Sequence, residues 1–295
     1  MFEAKIKHFF ELINTKKNWI FLAVFNILLL SSLIVFGGHN YSIDSYGIVL
    51  RGVASEWKWQ FGQYGFLGGI VILVFGLTGH NPISNSTFDI ISFILILSFC
   101  SAFFSKKIKE HFCLKDYVGI IIVDLCFVIS FANIWRCDTL SFPECVFACA
   151  ISIIPFTFIV AKFLSVVKLK DYVICGLWLI VVFLCGNMLV PLFVIYVIAI
   201  VSSRLIISRE NNFKEIFVSY FKPAVMVLCS LVVYFLIATA INKICQVPLN
   251  DRVSVNTGTL IGQLQFYFGN AHSYLKGRGF FNSELLTFCY LSVGF

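Results

Sequence analysis

Apolar residues run in long stretches from one end of this chain to the other. The stretches are 19–36, 66–79, 88–104, 117–135, 144–161, 172–186, 188–203 and 223–244. A helix that crosses a bilayer needs roughly 20 apolar residues, with about 17 as the lower limit. Most of these stretches therefore predict membrane spans. The stretch 66–79 is shorter and holds Gly68, Gly69, Gly76 and Gly79, so it predicts an interfacial or re-entrant piece. The two stretches around Asn187 are also short, and Asn187 with Pro191 marks a turn or broken helix of structural character. The expected fold is an all-α polytopic bundle of about seven spans plus one interfacial segment.

Basic residues orient the bundle. Lys5, Lys7, Lys16 and Lys17 precede the first stretch, and the segment 106–115 is strongly basic. Both belong in the cytoplasm by the bias of Lys and Arg toward inner loops. One crossing must then fall between them, and 88–104 is the better candidate than 66–79. Alternation places 135–143, the Asn187 turn and everything after about 245 outside. The cytoplasmic segments then carry 15 of the 22 Lys and Arg, 13 of them Lys. Four of the seven outer basic residues are Arg51, Arg136, Arg252 and Arg278. Arginine suits bidentate anion binding, which points the chemistry outward.

Composition agrees with a lipid environment. Of 295 residues, 59% are hydrophobic, 13% are charged and 34 are Phe, against about 25% charged in a soluble domain. A disordered chain, a basic nucleic-acid-binding domain and a disulfide-stapled miniature are excluded. The net charge of +7 is read as topology, not as a nucleic-acid footprint. The 11 cysteines are odd in number, and Cys100, Cys126, Cys149, Cys175, Cys185 and Cys229 lie in apolar stretches as small hydrophobes. No CxxC pair or zinc spacing occurs, so no metal and no cofactor are expected. The first apolar stretch is of span length with no cleavage site after it, and reads as an uncleaved span.

The division that follows is a transmembrane core over 1–244, with an outer loop at 37–87, and a periplasmic segment at 245–295 that enters a further apolar stretch. In the outer loop, Asp44 and Arg51 lie seven residues apart in a segment with the pattern of a short surface helix, 44–58, roughly on one face. A carboxylate there can take a proton from an acceptor hydroxyl, and the Arg can hold a phosphate; the same pair also fits an ordinary solvated loop. Arg136, Asp138 and Glu144 in the short second outer loop fit a sugar site or simply the water boundary. Asp251, Arg252, Asn256, His272, Lys276, Arg278 and Glu284, interleaved with aromatics, fit sugar stacking or the headgroup layer. Asp124 is the only acid read as intramembrane. It suits a proton or ion relay, or else pairing with a cytoplasmic Lys or helix packing, and the latter is preferred. No Walker loop, HExxH or GxSxG is present, so an enzyme here would draw on a lipid-linked donor.

The order of a first span, then YSIDSYGIVLRG with Trp59 and Gly62 behind it, then PISNSTFDIISFILILSF, resembles the bacterial and phage-type O-antigen glucosyltransferases. These are serotype-converting, membrane-embedded enzymes with a GT-C-like organisation. NIWRCDTLSFPECVFACAISIIPFTF and GNMLVPLFVIYVIAIVSSRL are similar to later elements of that family. The resemblance implies inverting transfer of glucose from undecaprenyl-phosphate glucose to an O-antigen sugar on the periplasmic face of the bacterial inner membrane. It makes Asp44 the catalytic base and Arg51 the donor-phosphate ligand. Trp59 and Asp138 match family positions, and Arg136 and Arg252 join the donor and acceptor site. Where the family has Gly-Arg after the Trp, this chain has Gly62 and Gln63, which passes that role to Arg51 or Arg136. Expected partners are the lipid-linked donor, the O-antigen acceptor, membrane lipids, and a sugar-lipid flippase and synthase. The family also implies further spans beyond residue 295. Two other classes share the compartment. A flippase or transporter of a lipid-linked saccharide predicts inverted repeats, of which none is evident. An O-antigen polymerase predicts a large Arg-rich outer loop in the later half, where only Arg252 and Arg278 stand.

Overall fold

The architecture comes from a computed structural model, which describes residues 18–37, 57–62, 65–81, 84–114, 117–131, 143–166, 168–185, 189–209 and 212–247. Within them the chain is helical, with no strand. The helices are α1 (Asn18–Gly37), α2 (Trp57–Gly62), α3 (Phe66–Thr78), α4 (Ser86–Phe112) and α5 (Tyr117–Phe131). They continue as α6 (Pro143–Phe163), α7 (Leu169–Cys185), α8 (Leu189–Ser208) and α9 (Phe213–Ile244).

Three helices are long and apolar enough to cross a membrane: Ser86–Phe112, Val146–Phe163 and Phe213–Ile244. Shorter apolar helices accompany them. Side chains such as Leu28, Phe99, Phe158, Trp178, Leu228 and Leu236 point outward along the helices. So much outward apolar surface fits lipid and not water. Several hydroxyls on these helices donate to carbonyls of their own helix. Ser92 donates to the Phe88 carbonyl at 2.8 Å, Thr157 to Ile153 at 2.6 Å and Ser202 to Ile198 at 2.8 Å. Such back-bonding lets Ser and Thr sit in an apolar medium. Pro155 in α6 and Pro223 in α9 each remove one ladder bond.

The central pair is α4 against α6. On α4 lie α1 and α5; on α6 lies α7, which carries α9, while α8 rests against α6 and α9. An aromatic core joins them. Phe104, Phe127 and Phe156 surround Tyr196 with ring centroids 5.5, 5.9 and 5.6 Å away. The Tyr196 hydroxyl pairs with Ser130 Oγ at 3.1 Å. Edge-on rings of this kind add to the energy of burial. Between α7 and α9, Gly176 brings the helices close: Ser230 donates to its carbonyl at 3.1 Å, and a Cβ there would meet the Ser230 Oγ.

Helix ends are closed by local chemistry. Gly79 takes the left-handed conformation (φ 73°), and its N–H bonds the Phe75 carbonyl, which stops α3. Asn212 caps α9 by accepting from the Lys214 N–H at 3.0 Å. At the far end of α6, Arg204 of α8 donates to the carbonyls of Phe163 (2.7 Å), Leu164 and Val166 (3.4 Å).

The shortest apolar helix, α3, lies across one end of the bundle. Its 13 residues span about 20 Å at 1.5 Å each, short of a hydrocarbon core of about 30 Å. Its start touches Phe61, whose carbonyl accepts from Asn242 near the end of α9. Its other end reaches Asp89 in the first turn of α4 and Phe147 near the start of α6. Both of its ends thus meet terminal turns of longer helices.

Candidate functional site

One end of the described bundle is built from α2, α3 and the turn into α4. The six-residue α2 folds back onto α3, where Gly69 lacks the Cβ that would collide with the Phe61 ring and crowd the Trp57 carbonyl. Trp57, Phe61 and Phe66 stack edge-on in sequence, with centroids 5.1 and 5.0 Å apart. Asn242 of α9 then fixes α2 from the side, donating from Nδ2 to the Phe61 carbonyl at 3.0 Å. Its Oδ1 is buried without a partner.

At the other end of α3 sits a carboxylate–imidazole pair. His80 Nε2 lies 3.2 Å from Asp89 Oδ2; the Asp89 side chain is fully buried and that of His80 is 16% exposed. Phe75 lies against the His80 ring at 3.9 Å, and Phe88 and Phe147 complete an aromatic wall. The turn is held by Asn85 Oδ1 accepting from the Asn81 N–H at 3.0 Å and by Asn81 Oδ1 accepting from the Ser84 N–H at 3.3 Å. An ionised Asp89 accepts from Nε2–H and leaves His80 Nδ1 as a lone-pair base. The arrangement can orient an imidazole, whose Nδ1 can then accept a proton. Asp89 Oδ1 has no partner.

Asp89 is a second fully buried acid among the described residues, beside Asp124. It falls inside the apolar stretch 88–104, where one carboxylate at the second position looks like the water boundary. The turn signals Gly79, Asn81, Pro82 and Asn85 before it are what bring His80 back onto it, nine residues away. Asp124 is packed between helices. It bonds Asn26 of α1 and Ser101 of α4, and no Lys among the described residues forms an ion pair with it.

Asp44, Arg51, Arg136, Asp138 and Arg252 lie outside the described residues, as do the greater part of the proposed 44–58 helix and the segment after 247. Trp59 falls in α2, and the position of its side chain is likewise outside them. Glu144 opens α6 in the same way. Among the described residues, no three His, Cys, Asp or Glu side chains converge as metal ligands, and the cysteines there are free thiols. No family model, curated protein or solved structure matches the chain.

Proposed function

We propose that this protein is a GT-C-like glycosyltransferase of the inner membrane that moves glucose from undecaprenyl-phosphate glucose to an O-antigen sugar on the periplasmic side. Seven helices cross the bilayer, α1 and α4 to α9, and α3 lies at the outer interface. The observation that carries the reading is the seating of α2 and α3 across one end of the bundle. There they meet the start of α4, the start of α6 and the end of α9. Those are the ends that the basic-residue bias turns outward. Arg204 and the carbonyls of Phe163, Leu164 and Val166 meet at ends that the same bias turns inward.

In this reading the outer loop 37–87 frames the site. Asp44 takes the proton from the acceptor hydroxyl as the sugar carbon is attacked, and the leaving group is the lipid phosphate, held by Arg51. Arg136, Asp138, Arg252 and Trp59 contact donor or acceptor. The carrier reaches the site sideways through lipid, which fits the apolar side chains that line the outside of the described helices.

The test is hexose addition to O-antigen in cells producing the wild-type chain, Asp44→Asn or Arg51→Ala, with equal amounts of protein in the membrane. Asp44→Asn is expected to abolish addition, a loss on the order of 10²–10⁴-fold for a missing general base. Arg51→Ala is expected to weaken use of the donor while the folded protein accumulates normally. Unchanged addition by Asp44→Asn overturns the assignment of the base.

A further inference from the structure

Deep in the bundle, Asp124 of α5 is fully buried and collects bonds from two other helices. Asn26 of α1 donates from Nδ2 to Asp124 Oδ1 at 3.1 Å. Ser101 of α4 donates to the same oxygen at 2.5 Å, and Ser105, one turn further, lies 3.4 Å from it. Ser101 Oγ is also 3.1 Å from the Asp124 backbone carbonyl. All of the side-chain bonding therefore falls on Oδ1. Asp124 Oδ2 and Asn26 Oδ1 are both buried without a partner.

An ionised carboxylate suits this place badly. An isolated buried charge is so costly that the group neutralises instead, and among the described residues no cation pairs with Asp124. The two bare atoms are both acceptors, and they belong to two groups already joined through Asn26 Nδ2 and Asp124 Oδ1. A proton on the carboxyl group supplies the donor that neither bare acceptor has. A carboxylic acid and a primary amide are complementary in this way: the amide N–H donates to the acid carbonyl oxygen, and the acid O–H donates to the amide oxygen.

We propose that Asp124 is a neutral carboxylic acid in the folded protein, its proton on Oδ2 and donated to Asn26 Oδ1. The result is a cyclic acid–amide clasp that fastens α1 to α5, with Ser101 and Ser105 of α4 supporting its carbonyl oxygen. These serines differ from Ser92, whose hydroxyl donates to the Phe88 carbonyl of its own helix. The clasp is a three-helix joint without a counter-ion. It stands apart from the proposed transfer reaction and does not depend on it.

The test uses the full chain purified in detergent. Asparagine at 124 places an N–H where the acid O–H stands, so Asp124→Asn keeps both bonds of the ring. Its thermal midpoint is expected to match the wild type, while Asp124→Leu and Asn26→Leu each lower it by several degrees. An Asp124→Asn protein that fails to fold, or is as unstable as Asp124→Leu, shows that a charged carboxylate is required and overturns the proposal. The infrared difference between wild type and Asp124→Asn at neutral pH supplies the direct reading. A protonated carboxylic C=O stretch that shifts in D2O is expected; carboxylate bands in its place overturn the clasp. A wild-type midpoint raised by sodium but not by choline also overturns it, in favour of a bound cation between the two oxygens.

Discussion

Arg204 illustrates how one side chain can serve both topology and structure. A helix end leaves its last carbonyls without partners, and at the end of α6 the Phe163 carbonyl, with those of Leu164 and Val166 just beyond the helix, is met by a single guanidinium reaching over from α8. The same guanidinium lies 5.6 Å above the Phe163 ring, and a cation at a helix C-terminus is favoured by the helix dipole. Replacing Arg204 by Ala is expected to cost about 1.5–3 kcal/mol, the range for hydrogen bonds to a charged group. Arg204→Lys should recover only part of that, because an ammonium is not a planar fork. Denaturation midpoints of the three proteins check this, and a Lys variant as stable as wild type would contradict it. In the sequence Arg204 counted only toward the basic bias. Its partners lie 38 to 41 residues away, and no local pattern announces such a contact. The same holds for Asn26 and Asp124, 98 residues apart. Asp124 was legible as unusual because acids are rare in apolar runs, whereas Asn26 gave no signal at all.

At the scale of elements, apolar runs were a good guide to where helices lie and a poor guide to where they end. The run 223–244 became α9, which begins ten residues earlier at Phe213. Lys214, Glu215 and Lys222 break the run yet remain helical, since a helix can be longer than a hydrocarbon layer is thick. Its 32 residues reach about 48 Å against a core of about 30 Å. In the same way 88–104 became Ser86–Phe112, whose last turns carry Lys106, Lys107 and Glu110 in exposed ion pairs. The four glycines of 66–79 suggested a piece that does not cross, and α3 lies across the bundle end. Its neighbours there were not readable, because Asn242 and Phe61 are 181 residues apart. Single cysteines at Ser55, just before α2, and at Ser208, the last residue of α8, test the placement of the two ends. With the accessible native cysteines replaced, Ser55→Cys is expected to react with an impermeant thiol reagent in intact cells. Ser208→Cys should react only after the membrane is opened. Labelling of both from one side would contradict the seven-span arrangement.

At the scale of the molecule, the two ends of the bundle differ in chemistry. The end with Arg204 is closed by a guanidinium on backbone carbonyls. The opposite end carries a short helical ledge, an aromatic wall and a buried carboxylate–imidazole pair. In the proposed reading, this ledge faces a substrate delivered along the bilayer. The six side chains assigned to the site were singled out by the order of motifs in the sequence and by the outward Arg bias. Their assembly depends on how the outer segments fold over the ledge, which periodicity does not encode. The most direct measurement is the mass of the O-antigen repeat from a host strain with and without this gene. The account predicts a gain of one hexose per repeat with chain length unchanged. An unaltered repeat mass, or a change in the number of repeats alone, would contradict it.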